Sequence, residues 1–530
     1  MGQAGLSFWK AILACAVTAL VADLSAPAGT TPLHASRSGP QVSRTTEPVL
    51  VAPNVVPGLV GRRVDEIGLF RWDASSERFV PLAWQCDERV VHVFNEGTEL
   101  EFSELIYDVF GEEDGTIDAD DELVFLFGDA GPQAPPAAPW PENVEPQRVE
   151  LRVTDSRPGS PEGERWVYLF FGTGLPVDPR ADVSWSGGAG SDVVTPSFTL
   201  EFEDRWLMTG LRIAAPCGSG GDLLDRVKGR ARPLPDLWED EEGWNTNSFF
   251  LGGIVGPLRA IRYVRGATSG VNTIHRDVVY ASRWERTVNL RVHPILEART
   301  YFDWLPLPGA TLFSPSARTG VPVDGVPDAL ADDFVSWVVP SSGEGGAVIL
   351  FDVPLSPLYG TREFLYRDDA GWNDAIPTNP GYGDDDDAAF GAVGVRMLDI
   401  TGSNVDPIRI RSVLVPLCAG EGDADLGEGF AQLLEDPLAL SAEPQTPDLS
   451  AIRTLRLARS GDDIRLDWTP LGGADAYRIY ASPRPDRPPA QWTLLGETLA
   501  PPWTDAGGAL GPGVRYYSVV TVSNGVEGTW

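Results

Sequence analysis

The chain has 530 residues, 42% of them hydrophobic, which is enough for several domains that each bury a core. Its 41 basic and 76 acidic residues leave a net charge of −35, a field that repels phosphate backbones and excludes nucleic acid as a partner. Lys10 and Lys228 are the two lysines, so arginine carries nearly all of the positive charge.

Lys10 is followed by the apolar run Ala11–Ala22, too short to cross a bilayer and of the length of a signal-peptide core. Residues 1–28 therefore read as an export signal, cleaved after Ala22 or Ala28. Only four apolar residues separate Lys10 from Cys15, which argues against a lipid anchor there. No later run reaches about 18 uninterrupted apolar residues, so no transmembrane segment is expected. The expected location is secreted or at the cell surface, or periplasmic where the source has an outer membrane. Removal of Cys15 leaves Cys86, Cys217 and Cys418, read as one disulfide of unspecified pairing and one buried thiol.

Residues 29–47 are rich in Ser, Thr, Pro and Gly and read as a disordered linker. From Pro48 onward the apolar period is two. The runs Val149–Asp155, Ser197–Asp204, Thr287–Pro294 and Ile408–Val415 each alternate apolar and polar residues, with Gly, Pro, Asn and Asp clusters between strands. Few helical windows stand out, the best over Ala424–Pro437, where Leu426, Phe430, Leu433 and Leu434 fall at helical spacing and Pro437 stops the run. The fold class is all-β: a large antiparallel β-sandwich body, with an N-terminal β domain over 48–185 and a central sandwich over 186–440. A linker follows at 441–448, and then a last sandwich over 449–530.

That last segment carries Trp468 in "IRLDWTP", Tyr477 and Tyr480 in "ADAYRIYAS", and the run "LGPGVRYYSVVTVSNGVEG". It resembles a fibronectin type III module from Leu449 to Trp530. The resemblance implies an immunoglobulin-like sandwich with these aromatics in its core. Leu510, Pro512, Val514 and Tyr516 match the family's spacing, which makes Tyr516 the candidate tyrosine-corner residue.

The stretch Asp108–Gly131 packs nine carboxylates and four glycines around a short apolar run. Measured against a twelve-residue calcium loop with Gly115 at the sixth position, Glu112, Asp114, Thr116, Asp118 and Asp121 fall at ligand positions. Phe110 stands where the first ligand belongs, and Asp121 where a bidentate Glu is usual. Structural Ca2+ and a solvated turn are both open readings, with direct catalysis a third. A second acidic run, from Gly381 to Gly391, reads as an exposed loop tip.

The opposite charge gathers between Leu258 and Arg299, where eight arginines face Asp277, Glu285 and Glu297 for a local balance of +5. His275, His293, Tyr263 and Tyr280 lie in the same stretch. Strict alternation in "TVNLRVHP" sets Arg291 and His293 side by side on one face. A face carrying Arg262, Arg265 and Arg291 can bind a carboxylate or sulfate, with His293, His275 or Tyr280 as proton acceptor. The plainer reading has the arginines paired with acidic side chains and the histidines as ordinary sheet residues.

The runs "PLAWQCDERV", "DADDELVFLFGDAG", "GPLRAIRYVRGATSG" and "LYRDD" also resemble secreted bacterial proteins of uncharacterised function, some described as rhamnogalacturonan-lyase-like with a supersandwich core. Over Pro48 to about Leu440 this resemblance implies a sugar-related exported β-protein, and no catalytic motif carries over residue by residue. Two functions are in view. One is an exported or surface protein that binds extracellular polysaccharide or another protein, stabilised by Ca2+ if the acidic loop binds it. The alternative is a polysaccharide lyase or related carbohydrate-active enzyme.

Overall fold

The computed structural model describes residues 42–530 except 113, 137, 158–159, 161, 236, 267–269, 271, 372–387, 446–451, 453, 472–473, 485–490, 511–513, 524–525 and 528–530. The export segment, most of the expected 29–47 linker and most of the second acidic run thus lie outside the described residues. Within them the chain is an all-β sandwich protein of antiparallel sheets.

The central sandwich stacks two sheets. One has nine strands and contains Arg259–Arg265, Ile274–Tyr280, Trp284–Val292, Ser403–Leu417 and Gly346–Asp352 in adjacent positions. The other has five, in the order Leu237–Glu239, Leu224–Leu234, Ile295–Trp304, Ala389–Ile400 and Thr361–Asp369. Period-two alternation aims Val227, Ala298, Phe302, Val395 and Met397 from the smaller sheet at Ala260, Val264, Leu290, Ile349 and Leu414 from the larger. A four-stranded sheet from Ser184 to Ile213 adds Trp185, Phe198, Leu200 and Leu211 to the same core. Gly229 admits this packing, because a Cβ there would stand 2.4 Å from the Trp244 ring.

The N-terminal sandwich packs the strands Pro48–Val51, Gln85–Asp87 and Glu122–Leu126 against a five-stranded sheet. The edge strand of that sheet is Ala439–Gln445, paired with Arg148–Thr154. The expected linker at 441–448 is therefore a strand over its first five residues. Its pairing with Arg148–Thr154 satisfies backbone groups that a linker would leave to solvent. Residues 42–47 are anchored as well: Arg44 is fully buried with Asp155 at 3.2 Å and Glu47 at 2.9 Å.

The helix forms as expected, over Ala424–Glu435. Asp423 caps it by accepting from the Leu426 amide at 2.8 Å, and Leu426, Phe430 and Leu434 pack on Trp337 and Val339 of the nine-stranded sheet. The C-terminal segment pairs a three-stranded with a four-stranded sheet around Leu466, Trp468, Tyr477 and Ile479. Tyr516 does not take the corner role: it is 38% exposed. The phenol tied back to the backbone is that of Tyr477, which accepts from the Leu471 amide at 2.7 Å.

Cys217 and Cys418 form a disulfide across 201 residues of sequence, and Cys86 is a half-buried free thiol whose pKa burial pushes up. Chain-entropy arguments for so long a loop give about 3–5 kcal/mol of stabilisation. Replacing both cysteines by Ser is expected to lower the unfolding free energy by that amount in a denaturant titration.

Candidate functional site

The strands Arg259–Arg265, Ile274–Tyr280 and Trp284–Val292 are covered on both faces, so alternation divides residues that the sequence groups together. Arg262, His275, Asp277 and Arg286 point between the two large sheets; Arg259, Arg265, Arg276, Tyr280 and Arg291 point at the N-terminal sandwich.

On the inner side Asp277 is the hub. It accepts from Arg262 Nη1 at 3.2 Å, Arg286 Nε at 2.8 Å and Trp284 Nε1 at 3.0 Å. Burial would raise the Asp277 pKa, but Arg286 and then Arg262 hold it below the usual carboxylate range. Burial draws Arg262 down to about 10 against the pull of Asp277. His275 stacks on Trp206 with ring centroids 5.6 Å apart. Its pKa is depressed to about 4, first by burial and then by the Arg286 charge, with Asp277 and the Gly266 backbone opposing. The surrounding cavity measures about 30 Å3, room for one or two waters and far too small for a sugar ring.

On the other side Arg259 Nη2 lies 2.6 Å from Asp87 and 2.8 Å from Glu122, and its Nη1 donates to the Tyr280 hydroxyl at 2.9 Å. Arg291 meets Glu104 at 2.7 Å and lies over the Phe102 ring, and Arg265 bonds Asn95. These groups join the N-terminal sandwich to the sheet. His293 is exposed in the turn after the strand. The alternation holds through Val292, but the strand ends there, so the expected Arg291–His293 adjacency fails. His275, Tyr280 and His293 thus occupy three separate environments, as do Arg262 and the pair Arg265 and Arg291.

The acidic loop folds outward from its own centre. Ile117 is fully buried in the N-terminal core and anchors it. Asp121 accepts from the Asp118 amide at 2.7 Å and the Arg89 amide at 2.8 Å; Asp114 closes a turn on the Thr116 amide at 2.9 Å. Glu112 turns to His92 at 3.5 Å. Among the described residues no three His, Cys, Asp or Glu side chains gather as a metal site. Asp368, in the later "LYRDD", likewise serves the fold, accepting from the Asp324 and Gly325 amides.

A cluster of charges that the sequence reading missed lies on the outer face of the five-stranded sheet, buried at Lys228, Arg230 and Glu297 and part-exposed at Arg232 and Arg396. "DRVKGRARP" alternates with period two, and this was the available signal: it places Arg226, Lys228, Arg230 and Arg232 on one face. Arg226 and Arg230 pair with Glu242 and Glu241, and Lys228 with Asp303 at 2.6 Å. Beside them Glu297, fully buried, takes Arg299 and Arg396 at 2.6 Å each and Arg232 at 3.2 Å. Burial would raise the Glu297 pKa, but Arg396 and Arg299 hold it down. The three guanidiniums keep 32%, 19% and 35% side-chain exposure for Arg232, Arg299 and Arg396. The Trp238 ring lies 4.6 Å from the Arg299 guanidinium and 5.3 Å from that of Arg232.

Two outcomes follow from these contacts. Asp121→Ala is expected to cost about 1–2 kcal/mol of stability by orphaning two backbone amides, with thermal unfolding equally affected with and without EDTA. His275 is buried neutral, so its depressed pKa makes the unfolded chain the better proton binder below pH 6.5. In low-salt buffer stability should fall as pH drops from 6.5 towards 4, by about 3 kcal/mol from this group. His275→Phe should flatten that part of the profile. No family model matches the chain, and no curated protein matches it in sequence.

Proposed function

We propose that the protein is an exported β-sandwich protein that binds an anionic extracellular polysaccharide on the outer face of its five-stranded sheet. One observation carries this reading. Arg232, Arg299 and Arg396 gather around Glu297 and beside Trp238, part-exposed, on a chain whose net charge is −35. The three guanidiniums share Glu297, and Arg396 also meets Glu363 at 3.2 Å, so part-exposed arginines gather within a chain of negative net charge. Planar guanidiniums match carboxylate or sulfate oxygens, and an indole offers a flat apolar surface to a sugar ring. The Cys217–Cys418 disulfide supports an oxidising compartment, and the three-plus-four-stranded C-terminal sandwich supports a fibronectin type III module used as a spacer.

A lyase is the second reading, and it moves with the site. Lys228 stands opposite Tyr301 across the sheet, one alternation step from Arg299, so amine, phenol and guanidinium share one face. A uronate held by the arginines would place its neighbouring C–H near those groups. The depression lined by Arg299, Tyr301 and Asp303 is only about 20 Å3, which favours binding along the surface over an enclosed reaction.

Retention of the purified chain on immobilised polygalacturonate, compared with a neutral glucan, tests both. Retention is expected on the acidic polymer, weakening with salt, and about tenfold weaker in Arg232→Gln with Arg396→Gln. His293→Ala should bind as the parent does. Equal retention on both polymers, or none lost in the double variant, would overturn the proposal. Near-ultraviolet absorbance from an unsaturated uronate product would establish the lyase.

A further inference from the structure

The interior cavity of the central sandwich has a chemistry of its own. Its wall includes Trp206, Trp244, Thr273, His275, Arg286 and Ala298. Four of these residues carry buried nitrogens without a hydrogen-bond partner of normal geometry: Nε1 of Trp206, Nε1 of Trp244, both ring nitrogens of His275, and Nη1 of Arg286. The residues are mutual neighbours. His275 stacks on Trp206, Trp244 lies 5.6 Å from Trp206 between ring centroids, and the Arg286 guanidinium is 5.9 Å from the Trp206 ring.

From this we infer that the cavity is a binding site for one small inorganic anion of halide size. Charge supports it first. Arg262 and Arg286 share the one buried carboxylate of Asp277, and the further acid acting on Arg262, Asp204, is part-exposed, so the buried cations outnumber the buried anion. Coordination supports it second. The indole and guanidinium nitrogens are donors only, and a single water accepts two hydrogen bonds at most, whereas a halide accepts from every direction. Size supports it third, since about 30 Å3 admits a monatomic ion or one to two waters and nothing larger. Val288, Leu290, Met397 and Ile410 supply apolar wall, which strengthens the attraction between Arg286 and an enclosed ion, and Arg299 and Thr300 complete the lining. Arg299 belongs to the wall of this cavity and to the outer-face cluster, whereas Arg232 and Arg396 do not line the cavity, so the Arg232→Gln with Arg396→Gln variant tests polysaccharide binding apart from the anion.

The purified full chain, exchanged into sodium gluconate, is titrated with sodium chloride and sodium iodide at constant ionic strength. Thermal unfolding and tryptophan fluorescence are followed together. Chloride should raise the midpoint saturably, by about 1–3 °C at about 100 mM. Iodide should quench Trp206 and Trp244 with a saturable component superposed on the linear collisional one. Ala298→Leu fills the cavity without touching the ion cluster, and should abolish both saturable effects while keeping the fold. Arg286→Lys should weaken chloride binding at least tenfold, and if that variant does not fold, Ala298→Leu decides. Identical midpoints in chloride and gluconate, or saturable effects that survive in Ala298→Leu, would overturn the site.

Discussion

One buried carboxylate, Asp277, organises the interior of the central sandwich. Two guanidiniums and an indole bond to it, and the arginines do more than neutralise it. Arg262 Nη2 also donates to the carbonyls of Ala189 and Arg205, and Arg286 Nη2 to that of Trp206. One acidic group thus fixes two arginines, and these fix the Ser184–Ile213 region onto the nine-stranded sheet. Removing one partner from such a cluster leaves an uncompensated buried charge, a loss of about 3–5 kcal/mol. An apolar cluster of the same volume would lose those carbonyl bonds, and with them the position of Trp206 over His275.

The opposite face of the same strands applies this logic between sandwiches. Arg259 reaches Asp87 and Glu122, and Arg291 reaches Glu104, while Phe102, Ile106 and Tyr107 supply apolar contact around them. Local positive charge in an acidic chain therefore has a structural origin: Arg259, Arg262, Arg286 and Arg291 each meet a carboxylate from another element, and Arg265 meets the Asn95 amide. Charge density along the sequence does not by itself distinguish such ties from a ligand site.

How far the sequence can be read follows from the same distinction. The all-β class, the strands through Val149, Phe198 and Ile408 and the helix at Ala424 are local, and period-two or helical spacing reveals them. The face of Arg291 was legible, with Leu290 and Val292 turned to the core, but the place of His293 was not, because the strand ends at Val292. The strand Ala439–Gln445 was hidden for a different reason: its partner, Arg148–Thr154, is remote in sequence, and "SAEPQ" has the composition of a linker. Glu297 shows the same limit at the candidate site. Beside Arg299 it reads as one acid within a basic stretch, and only the sheet brings Arg232 and Arg396 to it.

Topology also decides where a ligand can reach. The nine-stranded sheet has the five-stranded sheet against one face, and the N-terminal sandwich and the helix Ala424–Glu435 against the other. Its charges on the strands Arg259–Arg265 and Ile274–Tyr280 are mostly enclosed, whereas Arg318 and Arg409 farther along the sheet are exposed. In the five-stranded sheet Leu237–Glu239 is the edge strand, and on the outer face Lys228, Arg230, Glu297, Tyr301 and Asp303 are buried while Arg232 and Arg396 reach solvent. Exposure there falls off along the sheet, from Arg232 and Arg396 at about a third of the side chain to Lys228 at 1%. A polymer approaching this face meets guanidiniums first, while the amine lies beneath. That gradient suits recognition of repeated acidic groups along a chain, because each contact is made at the surface and none requires the polymer to enter the fold.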